Sequence, residues 1–167
     1  MKVQVFQGDI AQVPVDALIT AINSSGMWFG GIDGVIQRCA GLQFHNQAAD
    51  TLVFDPTAKV VVAPWKHHHE GQFQNVVFTI DDVNEPLEDV VRRGLDAAAR
   101  EGFRAVSMPA IRLGVMKDLG GTQAEKVRDI VNAIREHEKA LENPLHEITI
   151  VIYNDAALAQ DFTRELA

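Results

Sequence analysis

A glycine-rich segment that contains an asparagine and an aspartate is the part of the chain best suited to bind a ligand. It reads Asn23-Ser24-Ser25-Gly26-Met27-Trp28-Phe29-Gly30-Gly31-Ile32-Asp33-Gly34-Val35-Ile36 and leads into a helical pattern. Glycine lets backbone amides approach a ligand closely, and the side chains of Asn23 and Asp33 suit sugar hydroxyls. The segment predicts a binding loop; the structural alternative is a glycine-rich turn with a helix-capping Asp33.

This first loop differs from two common phosphate-binding motifs. Its glycines lack the spacing of the dinucleotide-binding fingerprint, and it contains no lysine for a Gly-Lys-Ser/Thr phosphate loop. Trp28 and Phe29 are bulky residues in a stretch otherwise built for bending. They suit either a wall or lid beside a pocket or packing on the core.

A second candidate loop follows an apolar run further along the chain. It reads Pro109-Ala110-Ile111-Arg112-Leu113-Gly114-Val115-Met116, where Gly114 permits a sharp turn. Successive amides in such a turn can surround an anion. Two loops of this kind on neighbouring strands would hold a diphosphate from both sides.

A glycine followed by a carboxylate, Gly8-Asp9-Ile10, comes after the first apolar run. Asp9 at a strand end can accept a hydrogen bond from an exocyclic amine such as that of adenine. A turn in which Asp9 bonds the nearby backbone is the alternative explanation.

Strand-like and helix-like patterns alternate along the chain and place these loops. Apolar and β-branched runs predict strands over 3–6, 17–22, 60–63, 76–80, 105–108 and 148–153. Helical patterns occur over 33–40, 43–51, 85–100, 122–141 and 156–166. The alternation predicts a three-layer α/β/α sandwich with a mixed, mainly parallel central sheet. The loops then meet at the carboxyl ends of the strands, where open α/β sheets bind ligands.

Polar residues precede several of the predicted helices. Thr122 and Glu125 have the spacing of a capping box. Asn84 precedes the third predicted helix, and Asn154 and Asp155 precede the last. Short polar side chains at these places accept hydrogen bonds from the first helical amides, so each predicts a helix start.

The charge of the chain limits its partners. Asp and Glu number 23 and Lys and Arg 15, which gives a net charge of −8. Because clustered basic residues normally bind polyanions, we do not expect a nucleic acid partner. A small dianionic ligand is compatible with this charge, since loop amides and helix N-termini supply positive potential without formal charge.

Length and composition predict one globular domain spanning 1–167, with 47% hydrophobic and 23% charged residues. No leader-like start and no apolar run of bilayer length is evident. The single cysteine, Cys39, has no intramolecular disulfide partner, which fits a reducing compartment. We therefore expect a cytoplasmic protein without membrane contact.

These motifs together resemble those of the macro domains, α/β/α proteins that bind ADP-ribose. The resemblance covers nearly the whole chain and is most specific over 8–41, where it consists of Gly8-Asp9-Ile10, Val15-Asp16-Ala17, Asn23-Ser24-Ser25, Gly30-Gly31-Ile32-Asp33-Gly34 and Ala40-Gly41. Pro109-Ala110-Ile111 and Gly114-Val115 are similar to the family's second loop. The resemblance implies ADP-ribose or a relative as ligand, free or attached to a protein. We predict neither a cofactor nor a metal.

The resemblance also implies a role for each site residue. Asp9 would recognise the adenine amine beside Ile10, and Tyr153 would stack on the ring; the alternative for Tyr153 is an ordinary strand-end tyrosine. Asn23 and Asp33 would contact the distal ribose. The loops around the diphosphate would contribute Gly30, Gly31, Ile32 and Gly34 on one side and Leu113, Gly114, Val115 and Met116 on the other.

Catalysis stays open in the sequence. Family members that hydrolyse ADP-ribosyl bonds or deacetylate O-acetyl-ADP-ribose typically use an Asn and an Asp, so Asn23 and Asp33 are the candidate catalytic pair. The chain departs from the hydrolase pattern at several positions: Thr20 replaces an Asn, Trp28 and Phe29 replace glycines, Gln37 replaces a His, Arg112 and Leu113 replace small hydroxyl residues, Met116 replaces an aromatic and Lys117 replaces a glycine. The alternatives are therefore a hydrolase, a non-catalytic ADP-ribose reader, and a scaffold or RNA-associated module.

The histidines carry no predicted chemistry. His67-His68-His69-Glu70 contains good metal ligands, but adjacent side chains point in different directions and no second cluster completes a site. A solvated loop is expected there. His45, His137 and His146 lack an evident nucleophile partner, and surface or interface positions are predicted for them.

Overall fold

The computed structural model describes residues 1–26 and 31–167, and the strands found there form one sheet. They are β1 (Lys2–Gln7), β2 (Val15–Ile22), β3 (Val60–Ala63), β4 (Phe73–Ile80), β5 (Ala105–Pro109) and β6 (Glu147–Ile152). The order is β1-β6-β5-β2-β4-β3, and neighbouring strands are parallel except β3 with β4. The predicted mixed, mainly parallel sheet is confirmed.

Every described strand except β3 differs in extent from its sequence pattern, and β4 differs most. β4 begins at Phe73, which is 1% exposed, although the polar residues after it interrupt the apolar run. One of these, Asn75, donates its side-chain amide to the backbone oxygen of Asp16 at 2.9 Å. Asn75 therefore links β4 to β2, and the strand continues through this polar residue. Tyr153, predicted as the last residue of β6, lies just beyond that strand.

Helices cover both faces of the sheet. Those in the described ranges are α1 (Ile32–Ala40), α2 (Gln43–Phe54), α3 (Leu87–Arg100), α4 (Gln123–Glu138) and α5 (Ala156–Leu166). Adjacent residues of a strand point to opposite faces, and Leu18 and Ile19 of β2 belong to two different core clusters. Leu18 packs in the cluster of α1 and α2, and Ile19 packs in the cluster of α3, α4 and α5. This confirms the three-layer α/β/α architecture.

The helix starts test the predicted caps. The Thr122 hydroxyl oxygen accepts from the Glu125 amide at 3.2 Å, and Asp155 accepts from the Leu158 amide at 3.0 Å, so both caps are confirmed. The start predicted at Asn84 is wrong, because α3 begins only after Pro86 and has no side-chain cap.

The residue before that proline, Glu85, is held outside the helix by ion pairs. Its carboxylate accepts hydrogen bonds from Arg93 at 2.6 Å and from Lys59 at 3.1 Å. Both hydrogen bonds lower the pKa of the Glu85 carboxyl group, and the bond from Arg93 has the larger effect. The helix therefore starts at Leu87, where the fixed φ of Pro86 favours entry into helical conformation.

The parallel strands bring their carboxyl ends to one edge of the sheet. The segments that follow β1, β2, β5 and β6 hold the predicted site residues that the structure describes, so the fold brings these segments to that edge. Across the described residues, no helix combines the length and the apolar character needed to span a membrane. The single-domain organisation over 1–167 stays a prediction, which one cooperative calorimetric transition would test.

Candidate functional site

A cavity of about 660 Å³ opens at the carboxyl edge of the sheet, within the size range of small-molecule sites. The predicted site residues that line it are Asp9, Ile10, Gly31, Ile32, Asp33, Gly34, Leu113, Gly114, Val115, Met116 and Tyr153. Gly30 lies outside the described residues, as do Trp28 and Phe29. The fold thus brings four separate segments of the chain to one cavity.

One end of the cavity lies beside β1 and β6. Asp9 is exposed there, and its Oδ1 accepts a hydrogen bond from the Ala11 amide at 2.9 Å, which caps a short 3-10 turn. This is the turn interaction considered for Asp9, yet the residue also lines the cavity. Ile10 is buried, and Tyr153 is 80% exposed at the same end. An exposed aromatic ring and a carboxylate suit a base that carries an amine.

The first loop reaches the cavity through a glycine whose conformation other residues rarely adopt. Gly31 has φ 54° and ψ −108° and immediately precedes α1. The first turn of α1, with Ile32 and Gly34, lines the cavity. Amides in a first helical turn lack intrahelical acceptors, and the positive end of the helix dipole favours an anion. This end of the loop therefore suits a phosphate group.

The second loop lies opposite the first. A methyl group placed on Gly31 would lie 3.9 Å from Cγ2 of Val115, in ordinary van der Waals contact. The two loops are therefore close enough to contact one ligand from two sides.

The second loop turns twice. The Leu113 amide donates to the Ala110 oxygen at 3.0 Å, and the Lys117 amide donates to the Gly114 oxygen at 3.1 Å. Residues 113–116 all line the cavity, and the Leu113 amide is already bonded within the first of these turns. Arg112 has φ 65°, a left-handed conformation that costs a non-glycine residue about 1–2 kcal/mol.

Lys126 of α4 holds the second loop in place. It is 1% exposed, and its Nζ donates to the backbone oxygens of Arg112 at 2.9 Å, Lys117 at 2.8 Å and Met116 at 3.3 Å. Burial and the charge of Arg112 lower the pKa of Lys126, whereas Asp118 raises it. The three carbonyls replace the water that an exposed ammonium would bind. The lysine thus fixes the loop and places positive charge behind it.

Arg112 forms a buried ion pair beside the same loop. Its Nε and Nη2 donate to the two carboxylate oxygens of Asp81 at 2.8 and 2.7 Å, and Nη2 also donates to the Glu85 backbone oxygen at 2.8 Å. Arg112 and Asp81 are 7% and 4% exposed, and both line the cavity. A bidentate arginine–carboxylate pair restricts geometry strongly, so it holds Arg112 in its left-handed conformation.

Asp33 is fully buried in the cavity wall and pairs with a histidine of the next helix. Its Oδ1 lies 2.8 Å from Nε2 of His45, which is 4% exposed. The His45 ring packs edge-on against Phe78 of β4, with 5.0 Å between centroids. The surface or interface position predicted for His45 is therefore wrong. A buried imidazole is tolerated here because Asp33 supplies a hydrogen-bond partner.

Asn23, the other predicted catalytic residue, is not among the described residues that line the cavity. Its Oδ1 accepts from the Ser25 amide at 3.0 Å. The neighbouring Ser24 amide donates to Oδ1 of Asp82 at 2.8 Å, which ties the start of the first loop to the segment after β4. The catalytic roles of Asn23 and Asp33 stay predictions.

Comparison with known proteins places the chain in a family. It is 31% identical over 152 residues to an O-acetyl-ADP-ribose deacetylase of Shigella flexneri serotype 5b, and the match covers 81% of this chain and 82% of that protein. The deacetylase of Escherichia coli strain K12 is 33% identical over 129 residues, with 68% and 69% covered. A macro domain-containing protein of Xanthomonas campestris pv. campestris is 29% identical over 167 residues, with 93% and 90% covered. The chain belongs to the macro domain family.

Solved structures agree with this assignment at the level of fold. The Trypanosoma brucei macrodomain in complex with ADP-ribose superposes with a TM-score of 0.78 at 18% identity, covering 99% of this macro domain and 69% of that chain. A mutant of the Oceanobacillus iheyensis macrodomain with ADPR superposes with a TM-score of 0.79 at 18% identity, covering 97% and 90%. No protein-family model matches the chain.

Sequence reasoning missed the buried polar residues behind the cavity of this macro domain. Lys126 left one signal, because it lies four residues before the buried Ile130 on α4 and therefore on the apolar side of that helix. His45 similarly shares the inner side of α2 with Phe44 and Leu52. His137 is buried as well, with Nδ1 3.0 Å from a carboxylate oxygen of Asp96, so its predicted surface position is wrong.

The segment 67–70 was considered above as a source of metal ligands, and one of its histidines instead packs against aromatic rings. The His69 ring lies against Phe44 and Phe73, with centroid separations of 5.4 and 5.0 Å. In the part of the chain that the structure describes, no group of three or more His, Cys, Asp or Glu residues is arranged to hold a metal ion.

Proposed function

We propose that this macro domain binds ADP-ribose across the carboxyl edge of its sheet. The observation that carries the proposal is one cavity in which both amide-bearing loops face each other, with Asp9 and Tyr153 at one end and Asp33 in the wall. Adenine would lie by Asp9 and Tyr153, the diphosphate between the loops, and the distal ribose by Asp33. The relatives named O-acetyl-ADP-ribose deacetylase and the macrodomain solved in complex with ADP-ribose support this choice of ligand.

The acidic chain can bind this dianion because the site uses dipoles and one buried cation. The net charge is −8, yet the diphosphate region consists of the α1 N-terminus and the second loop with Lys126 behind it. Arg112 adds little net charge there, since Asp81 neutralises it. Such a site favours a compact anion over an extended polyanion.

Calorimetric titration tests binding directly. We expect heat with ADP-ribose and a weaker response with adenosine, which lacks the diphosphate. Asp9→Asn should weaken ADP-ribose binding about tenfold. The side-chain amide then places an N–H donor where the carboxylate oxygen accepted a hydrogen bond from the adenine amine. No heat with ADP-ribose at millimolar concentration would overturn the proposal.

Asp55→Asn is the matched control for this titration. Asp55 is exposed and its Oδ1 accepts from the Thr57 amide at 3.1 Å, the same local turn that Asp9 makes. It does not line the cavity. Its replacement should leave ADP-ribose affinity unchanged, so a loss specific to Asp9→Asn assigns the effect to ligand contact.

A second candidate function is hydrolysis of O-acetyl-ADP-ribose or an ADP-ribosyl bond, and the Asp33–His45 pair favours it. Asp33 lines the cavity, and its bond with His45 holds the carboxylate in one orientation. In ester hydrolysis Asp33 would take a proton from a water that attacks the acetyl carbonyl carbon. The acyl C–O bond of the ester then breaks, the ribose oxygen takes the proton back from Asp33, and ADP-ribose leaves with acetic acid, which ionises to acetate.

Acetate release from O-acetyl-ADP-ribose, followed by NMR, tests this chemistry, and release of ADP-ribose from a mono-ADP-ribosylated protein tests the glycosidic variant. Asp33→Asn should abolish turnover and keep ADP-ribose affinity within a few-fold, since the amide retains the shape. Binding without turnover in the unmodified chain would make this macro domain a non-catalytic reader.

The remaining expectations can be tested alongside. An oligonucleotide filter-binding assay should show no tight, salt-sensitive binding, and such binding would favour the RNA-associated alternative. We also propose a cytoplasmic location, supported by the free thiol of Cys39, and cell fractionation tests it.

A further inference from the structure

Thr20 carries a buried hydroxyl in the wall of the cavity. The residue is 1% exposed, it lines the cavity, and its Oγ1 has no hydrogen-bond partner in the described ranges 1–26 and 31–167. A buried hydroxyl without a partner destabilises a fold, and valine offers nearly the same shape without the polar atom. A polar group at such a place points to a partner supplied by the ligand.

The position of Thr20 in β2 puts its side chain on the same face of the sheet as Asp33. Leu18, two residues earlier, packs in the cluster of α1 and α2, and side chains alternate along a strand. Thr20 also pairs in register with Phe78, whose ring contacts His45, the partner of Asp33. The hydroxyl and the Asp33 carboxylate therefore border the same side of the cavity.

This side lies away from the proposed adenine end. In the sheet, β6 and β5 separate β2 from β1, so Thr20 and Asp9 lie at strand ends that are not neighbours. Strands are spaced about 4.8 Å apart. A ligand with adenine beside β1 and a diphosphate between the loops therefore brings its far sugar toward β2.

We propose that the Thr20 hydroxyl is a specificity-determining contact for the distal sugar of the ligand, an inference that rests on the proposed ADP-ribose binding. A hydroxyl both donates and accepts hydrogen bonds, whereas a carboxylate accepts. Thr20 and Asp33 together offer the complementary groups that two neighbouring sugar hydroxyls require. ADP ends at the diphosphate and does not reach this contact.

Thr20→Val tests the proposal by titration with ADP-ribose and with ADP. We expect ADP-ribose affinity to fall about three- to tenfold, the range of one hydrogen bond, and ADP affinity to stay within about twofold. The ligand-free protein should melt at the same or a higher temperature, because the variant removes a buried polar atom without a protein partner. Thr20→Ser keeps the hydroxyl and should restore most of the ADP-ribose affinity.

Ser107→Ala is the matched control. Ser107 of β5 is 0% exposed and its Oγ also has no partner among the described residues, but it does not line the cavity. Its replacement should leave both affinities unchanged, which separates the loss of a ligand contact from the loss of any buried hydroxyl.

Two results would overturn the inference while the proposed function stands. One is an unchanged ADP-ribose affinity in Thr20→Val. The other is an equal loss for ADP-ribose and ADP with a lower melting temperature, which would make the hydroxyl a structural group. Absence of ADP-ribose binding by the unmodified chain would overturn the proposed function itself.

Discussion

The two loops that face the cavity take their shape by different physical means. The described end of the first loop turns through Gly31, whose φ of 54° and ψ of −108° need the backbone freedom of glycine. The second turns through Arg112, a side-chain-bearing residue with φ 65°, and is held by Lys126 and by the pair with Asp81. Its own glycine, Gly114, lacks a left-handed φ, and a methyl group there would meet open space. Similar amide-bearing loops can thus be shaped by glycine or by buried charges.

Breaking the ion pair of the second loop should have the largest effect. Arg112→Met leaves the Asp81 carboxylate buried without its cation, and we expect the free energy of unfolding to fall by about 3–5 kcal/mol. Urea unfolding followed by circular dichroism measures the change. Addition of Asp81→Asn to this variant should recover part of the loss, because it removes the uncompensated charge.

The control for this prediction is Arg164→Met. Arg164 pairs with Asp161 on the surface, where the two side chains are 73% and 36% exposed, and such pairs contribute about 0–1 kcal/mol. If Arg112→Met were as mild as this control, the second loop would not depend on its buried charges.

Removing the lysine behind the second loop comes next. Lys126→Met keeps the aliphatic stem but leaves buried carbonyls without a donor, and we expect a destabilisation of about 1–3 kcal/mol. ADP-ribose affinity should fall about tenfold, with adenosine affinity unchanged, because the loop contacts the diphosphate. Titration of both ligands measures this difference.

Lys139→Met serves as its control, since Lys139 follows the same helix and its side chain is 69% exposed in a pair with Glu136. Equal losses of adenosine and ADP-ribose affinity in Lys126→Met would indicate general unfolding and argue against a role confined to the loop.

Replacing the glycine of each loop by alanine should have the smallest effect, and it tests directly whether the two loops are shaped differently. Gly31→Ala forces a left-handed conformation on alanine, which costs about 1–2 kcal/mol. Gly114→Ala needs no such conformation, and we expect a change below about 0.5 kcal/mol in the ligand-free protein. Thermal unfolding of the two variants measures the difference, and equal effects would show that the loops are not built differently.

Most of the fold and the outline of the site could be predicted from sequence. β-Branched runs and helical periodicity depend on residues a few positions apart, so the strands, the helices and the caps at Thr122 and Asp155 were accessible. The glycines of the first loop, and Asp9 directly after the first apolar run, indicated the cavity lining in the same way. The start of β4 was missed because Asn75, a polar residue, bonds another strand.

The buried polar pairs were decided by tertiary structure alone. Asp33 meets His45 across 12 residues, Lys126 meets the Arg112 backbone across 14, and Arg112 meets Asp81 across 31. From sequence alone, a lysine, arginine or histidine is expected on the surface, because a charged side chain is tolerated in the core only when it has a partner there. The sequence therefore determined where backbone can bend and which faces are apolar. Packing of distant segments decided which charges are buried together, since that depends on spatial distance and on the exclusion of water.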